Sequence, residues 1–409
     1  MLRYLLLLIC SVIGFSTQAQ KNPLEQLIAL SGHPLDTIFS QPEKYQAQLI
    51  YTQIDRDENN VPTFTSYQLG VDDNRYYYPA STVKMPAAFM ALEKLNELSI
   101  NGLDKEATIF HGAAREPQTT ALVDPTAENQ LPSIAHYIKK IFVVSDNDAY
   151  NRLYEFLGQK YFNEQLLAKG FEDTRIIHRL SVSGFDVEGN RHTNPVSFVE
   201  DNELLYYQGA RYTTDERKWS LKDQVRGVAR MTNDGEIVDE PFDFSTKNYI
   251  ALYDLHDLLK VILFPESVAA SRRFNLTEAD YDFLYRVMST QPKESQHPDY
   301  SDLADNYVKF FMANDSIPDH IRVFNKVGWA YGFLTDASYI VDFEKGIEYF
   351  LCAAIHVNEN QTYNDGVYEY ESVGLPYFGK IGELIYEYEV KRKRAFKPDL
   401  KRFLVERYE

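Results

Sequence analysis

Residues 76–86 read YYYPASTVKMP and set Ser81 and Lys84 three positions apart inside an otherwise apolar run. Pro79 suits the approach to a helix and Pro86 is tolerated only near a first turn, so a helix is predicted to begin at about Ser81. In such a helix the Lys84 ammonium, at i+3, reaches the Ser81 hydroxyl on the same face. A hydroxyl is a weak nucleophile until a neighbouring base takes its proton, and lysine can be that base only where burial disfavours its charged form. Val83, Met85, Ala87, Ala88 and Phe89 supply apolar surroundings. Taken alone, the same residues equally suit a capping serine followed by a lysine in water, since about one S-x-x-K is expected by chance in a chain this long.

The rest of the chain narrows the choice. It has 409 residues, 44% of them hydrophobic, enough for a large core in one domain or two. A formal charge of −18 argues against nucleic acid or an anionic membrane surface as partner and favours a small or neutral substrate. Residues 1–19, MLRYLLLLICSVIGFSTQA, read as a secretory signal peptide with Thr17 and Ala19 at the small-residue positions of a cleavage site. Lipid attachment at Cys10 is the alternative, disfavoured by the bulky Ile9 before it. The mature chain is expected to be secreted or periplasmic, without stable membrane insertion. Removal of the signal leaves Cys352 alone, so no intrachain disulfide forms. With no Cys cluster and no HExxH, no metal or other cofactor is expected.

Residues 20–43 read as a linker. KYQAQLIYTQID (44–55) and VPTFTSYQLG (61–70) are strand candidates joined by the turn-forming DENN, a predicted hairpin. From Ser81 to about Leu180 the apolar spacing turns helical, as in AAFMALEKLNEL and IAHYIKKIFVV. Residues 182–248 are polar and Gly-dotted, with NDGE at 233–236 as a hairpin turn, and read as an insertion. YIALYDLHDLLKVILF (249–264) returns to helix. Near the C-terminus IRVFNKVGWA, ASYIVDFEK and IEYFLCAAIHV alternate like strands, and KIGELIYEYEVKRKR is an amphipathic helix with a solvated basic end. The expectation is an α+β domain over 44–393: one antiparallel sheet built from both chain ends (about 44–80 and 320–393), a helical region (about 81–319), and a tail at 394–409.

Two further triplets bear on Ser81. Ser145-Asp146-Asn147 lies between two helical stretches, 64 residues after Ser81, far enough for the chain to return and face it across a cleft. By itself, Ser145 with Asp148 suits a capping box opening the helix that ends at Gly158. Lys326-Val327-Gly328 lies on IRVFNKVGWA, where a strand edge can present a lysine and backbone N–H groups to a developing oxyanion, and Gly328 allows close backbone approach.

In this order the three triplets resemble the S-x-x-K, S-D-N and K-[ST]-G set of the penicillin-recognising serine hydrolases, the superfamily of class A β-lactamases and D-alanyl-D-alanine peptidases. The resemblance spans about residues 44–393 and implies an α/β layer joined to an all-helical region. It implies Ser81 as acylated nucleophile, Lys84 as its base, Ser145 as proton relay to the leaving group and Asn147 as a partner of the substrate amide. Lys326 would orient Ser145, and the amides of Ser81 and Trp329 would form the oxyanion hole beside Gly328.

The chain departs from that pattern in three ways. Val327 replaces the hydroxyl residue of the third motif, and no Arg lies between Lys326 and Lys391 to take over a substrate carboxylate. After GFEDTRIIHRL (170–180), which looks like the approach to the family's Ω-loop, the chain reads SVSGFDVEGN with no E-x-x-L-N glutamate; Glu172 and Glu188 are the nearby carboxylates. The 182–248 stretch lengthens the span between the first and third motifs. The expectation is an exported serine hydrolase acting through an acyl-enzyme on an amide or ester of small-molecule or cell-wall origin, with efficient β-lactam turnover disfavoured. The alternative is a non-catalytic cell-wall or glycan binding module on the same fold.

Overall fold

A computed structural model of the chain describes residues 22–32, 34–214 and 221–405; the leader expected at 1–19 lies outside them. Strands β1 (Gln48–Arg56), β2 (Pro62–Leu69), β3 (Ile321–Ala330), β4 (Phe333–Asp342) and β5 (Ile347–His356) form an antiparallel sheet in the order β3-β4-β5-β1-β2. The two chain ends meet where β1 pairs with β5, Ile50 opposite Cys352. The β3–β4 hairpin turns on Tyr331 and Gly332, both at positive φ (54° and 79°), the geometry that fits the twist of flanking strands.

Successive side chains of a strand point to opposite faces, so both faces of this sheet need cover. Phe350, Cys352 and Ala354 enter a core shared with the helices α1 (Lys84–Leu98), α2 (Ile134–Val144), α3 (Asn147–Leu157), α4 (Leu252–Leu263) and α5 (Glu278–Ser289). Tyr349, Leu351 and Ala353 enter a second apolar layer closed by α6 (Leu375–Lys391). Cys352 is a fully buried core residue. The helical region also carries a small sheet, Thr108–His111 with the hairpin Val196–Glu200 and Glu203–Gln208.

Two stretches differ from the sequence expectation. Within 20–43, expected as linker, Pro23–Ser31 is a helix whose Leu24 and Ile28, one turn apart, join the second apolar layer beside Leu49 and Ile381. Pro23 opens it and Asn22 caps it, its side chain accepting from the Leu24 N–H at 3.0 Å. In the expected tail, Phe403 is buried against Phe264, Phe324 and Tyr339. The KRKR run is only half solvated: Arg392 and Arg394 both pair with the buried Glu389, while Lys391 and Lys393 stay exposed.

Candidate active site

Ser81 sits in a tight 3-10 turn, Ala80–Val83, that leads into α1. The turn is closed by Thr82, whose N–H and Oγ1 both donate to the Pro79 carbonyl, at 3.1 and 2.7 Å. Ala80, just before the serine, takes a positive φ of 46°, a conformation an L side chain rarely adopts and one that packing must hold in place. Gly328 of β3 provides that packing: a Cβ there would lie 2.4 Å from the Pro79 carbonyl oxygen and 2.8 Å from the Ser81 nitrogen. Only a residue without a side chain lets the strand come this close.

Lys84, the first residue of α1, is fully buried. Its Nζ lies 2.7 Å from Asn147 Oδ1 and 3.2 Å from Ser145 Oγ, and it also donates to the Ser145 carbonyl. Burial first, then the nearby charge of Lys326, push its pKa well below the ordinary lysine range; Asp146 opposes them weakly. A neutral amine has two N–H groups and one lone pair. Two carbonyl-type oxygens and one hydroxyl around Nζ match that inventory, with the lone pair facing Ser145. No hydrogen bond joins Lys84 to Ser81, which lies one turn away on the cavity wall.

Ser145 is held between two helices rather than at the start of one. It ends α2 in the left-handed region, φ 61°, its N–H donating to the Ile141 carbonyl at 3.1 Å while the Asp146 N–H donates to the Lys140 carbonyl at 3.2 Å. Asp146, not Ser145, caps α3, accepting from the Ala149 N–H at 2.8 Å. The capping-box expectation for Ser145 is thereby corrected, and the reason is chemical: the neighbouring carboxylate takes the cap and leaves the serine hydroxyl for the site. Asn147 begins α3 and turns its amide oxygen to Lys84.

Lys326 completes the cluster from the sheet. Its Nζ donates to Ser145 Oγ at 2.8 Å and to the Val327 carbonyl at 2.9 Å. Burial lowers its pKa to about 7, with Asp336 acting in the opposite direction and Lys309 adding to the fall. Val327 itself points away, into the apolar layer under α6, and does not line the cavity. Counting back from the Ala330–Phe333 pair that closes the hairpin, Trp329 falls at a non-hydrogen-bonded position opposite Leu334. Its N–H therefore faces the open edge of the sheet, on the side where Ser81 lies.

Behind β3, the buried Lys309 Nζ reaches the Val323 carbonyl at 2.9 Å and Asn325 Oδ1 at 3.0 Å. Asn325 and Ser338 in turn donate to Asp336 Oδ1 at 3.0 and 2.8 Å, and the Phe310 N–H donates to Oδ2 at 2.9 Å. Burial raises Asp336 to about 6 despite these bonds.

A cavity of about 780 Å³ opens over the cluster, walled by Ser81, Ser145, Asn147, Ser181, Trp329 and Tyr331 among others. Asp146, already spent as a cap, is the one carboxylate among its lining residues; Glu172 and Glu188 do not reach it. Of the three tyrosines in the opening stretch, Tyr78 lines the cavity, while Tyr76 and Tyr77 are core residues. The far wall comes from Tyr307, Tyr368 and Tyr370, which no motif flagged: each lies in an irregular or short helical segment with no periodic signal.

The loop bearing Ser181 is anchored by Glu155 of α3. Its carboxylate meets Arg179 Nε at 3.1 Å, Arg152 Nη1 at 3.2 Å and His111 Nδ1 at 3.3 Å. Burial would raise this carboxyl, but His111 and the two guanidinium groups outweigh it and hold the pKa below the ordinary range.

No curated protein matches the sequence. Among solved structures, PBP-A aligns over 91% of this chain and 97% of its own, at 15% identity and a TM-score of 0.49. A β-lactamase from Sphaerobacter thermophilus DSM 20745 aligns over 90% and 99%, at 10% identity and 0.48. An ancestral class A β-lactamase aligns over 89% and 100%, at 12% and 0.46. Residues 35–271 match the sequence model of the β-lactamase enzyme family, a span that includes Ser81, Lys84, Ser145 and Asn147 but ends before Lys326. Matched over more than half its length, the chain belongs to the β-lactamase enzyme family.

Proposed function

We propose that this protein is an exported serine hydrolase that works through an acyl-enzyme at Ser81 on an amide or ester. The observation that carries this is the fully buried Lys84, its Nζ hydrogen-bonded to Ser145 and Asn147 one turn from the serine, where burial favours its neutral form. In the proposed step a substrate carbonyl enters beside Ser81, Ser145 turns its O–H from Lys84 toward the leaving group, the freed Lys84 lone pair takes the Ser81 hydroxyl proton, and the oxygen attacks. The Ser81–Lys84 hydrogen bond closes as substrate binds, as catalytic contacts often do. The N–H groups of Ser81 and Trp329 receive the developing oxyanion, and Ser145, positioned by Lys326, hands its proton to the leaving group and regains one from Lys84, which returns to its neutral form.

Deacylation is the slow half. Water needs a base, and Asp146, the one carboxylate on the cavity wall, is committed to α3. With Val327 turned away, a carboxylate beside the scissile bond also lacks its usual hydroxyl partner. The protein is therefore expected to be acylated by penicillins or activated esters and to release them slowly, which puts it nearer penicillin-binding proteins than efficient β-lactamases. Export rests on the N-terminal sequence.

The test is intact mass after incubation with benzylpenicillin and, separately, with p-nitrophenyl esters, alongside nitrocefin turnover. A long-lived adduct on the Ser81 peptide, lost in Ser81→Ala, is the expected result. No adduct and no turnover with any of these, together with ligand binding indifferent to Ser81→Ala, would replace the catalytic reading with the binding module. The absence of a Ser81–Lys84 hydrogen bond favours that second reading, as do Val327 in the third motif and the missing Ω-loop glutamate.

A further inference from the structure

Residues of 175–191 and 245–247, with others, wall a second cavity, about 890 Å³, that shares Tyr78, Ser181 and Tyr331 with the catalytic one. Its lining carries four cationic side chains, Arg175, Arg179, Arg191 and Lys247, against a single carboxylate, Asp186, in a chain whose formal charge is −18. Asp186 is already committed, its Oδ1 accepting from the Gly189 N–H at 2.6 Å. Arg179 is matched by Glu155 at 3.1 Å, and Arg191 approaches Glu188 at 4.0 Å. Arg175 and Lys247 differ. Among the described residues neither has an ion-pair partner.

Their placement follows from the chain. Arg175 lies on a two-stranded ladder with Tyr249 opposite it, which carries residue 247 alongside. Arg175 Nη2 donates to the Lys247 carbonyl at 2.8 Å and its Nε is buried without a partner, while the Lys247 ammonium lies over the Phe242 ring, 5.7 Å from its centroid, with no hydrogen bond among the described residues. His178 lines the same cavity and stacks on the shared Tyr78 wall, its ring parallel to Tyr78 with centroids 6.2 Å apart. Burial and the adjacent Lys247 and Arg175 charges keep this imidazole neutral, lowering its pKa to about 3, so it adds no competing positive charge of its own. Two partly desolvated cations with no carboxylate partner among the described residues, set in a polar cavity, suit an anion, because burial there weakens solvent screening.

Resting on the acyl-enzyme reading, we propose that Arg175 and Lys247 bind an anionic group of the substrate, a carboxylate set several bonds away from the carbonyl that Ser81 attacks. The substrate would then lie across the shared Tyr78–Ser181–Tyr331 wall with its reactive carbonyl in one cavity and its charge in the other. Arg175 and Lys247 would then hold the carboxylate for which Val327 offers no hydroxyl and the strands after it no Arg.

A matched set of p-nitrophenyl esters ending in a carboxylate, its methyl ester or a trimethylammonium group, each at a short and a long spacer, tests this. The carboxylate-ended ester should acylate the wild-type protein on the order of tenfold to a hundredfold more efficiently than the neutral one at one spacer length. The preference should shrink with added salt and vanish in Lys247→Gln, with the neutral ester's rate unchanged. Equal rates for all tails, or a preference that survives Lys247→Gln, would overturn it. Calorimetric binding of the corresponding unreactive amides separates the two readings. Lys247-dependent binding of the carboxylate-ended amide, with no ester acylating Ser81, would keep the anion site and reject the acyl-enzyme. Acylation without tail preference would do the reverse.

Discussion

Lys84 and Lys326 converge on one hydroxyl: their Nζ atoms lie 3.2 and 2.8 Å from Ser145 Oγ. Two ammonium groups this close and this buried cannot both stay charged at low cost. The cluster is best satisfied with Lys84 neutral and Lys326 charged, so that Ser145 accepts from one lysine and donates to the other. A charge asymmetry of this kind turns two residues of the same type into a base and an electrostatic anchor.

A bell-shaped pH profile follows for acylation. Lys84 must be neutral, so the rate falls on the acid side as it gains a proton. Lys326 must be charged, and its pKa near 7 makes the rate fall on the alkaline side from about neutrality upward. Lys326→Arg, whose guanidinium does not titrate in this range, should flatten the alkaline limb even if the maximum drops. Stopped-flow acylation by an activated ester from pH 5 to 9 checks this; an alkaline limb unchanged in the arginine variant would contradict the assignment.

Gly328→Ala should be among the most damaging single-methyl changes in the chain. The new Cβ would meet backbone atoms of Pro79, Ser81 and Thr82, none of which can rotate away as a side chain would. Either β3 or the Ser81 turn must move. A misplacement of this order costs roughly a hundredfold in acylation rate, and overpacking of this kind about 1–3 kcal/mol in stability. Single-turnover rates and thermal denaturation of the variant measure both.

The sheet was legible because its strands carry the period-2 pattern, rich in Tyr, Val and Ile, and because DENN punctuates the first pair as a turn. The catalytic cluster was legible for a different reason: Ser81, Lys84, Ser145, Asn147 and Lys326 belong to short motifs whose chemistry needs those residue types. The helix at Pro23–Ser31 and the buried Phe403 were not, since each depends on a sheet face whose cover cannot be counted from local sequence. Arg175, His178 and Lys247 carry no motif at all. Only long-range pairing gathers them, as where Tyr249 pairs with Arg175 and brings residue 247 beside it.

Glu155→Gln should destabilise the whole helical region. It would leave the buried Arg152 and Arg179 charges without their carboxylate, a loss typically worth about 3–5 kcal/mol. Because the folded pKa of Glu155 lies below its ordinary value of 4.5, its contribution is fully present above that pH and is lost as the pH falls through the folded value. Denaturant titrations at pH 7 and pH 3 should show a large gap between wild type and variant at pH 7 that narrows at pH 3. The Ser181 loop, tied to Glu155 through Arg179, should lose hydrogen-exchange protection in the variant.

Asp336→Asn separates electrostatics from geometry in the site. Asp336 touches neither Ser145 nor the cavity, yet its charge works against the burial that lowers Lys326. Removing that charge should let the Lys326 pKa fall further, so the alkaline limb of acylation should begin at a lower pH than in the wild type. Some stability should go as well, on the order of 1–3 kcal/mol, because the amide cannot accept from Asn325, Ser338 and the Phe310 N–H as the carboxylate does. A residue that only held the strand in place would lower the rate equally at every pH. A displaced alkaline limb, measured on protein shown by circular dichroism to be folded, marks Asp336 as a residue that tunes Lys326; a profile of unchanged shape would assign it to packing alone.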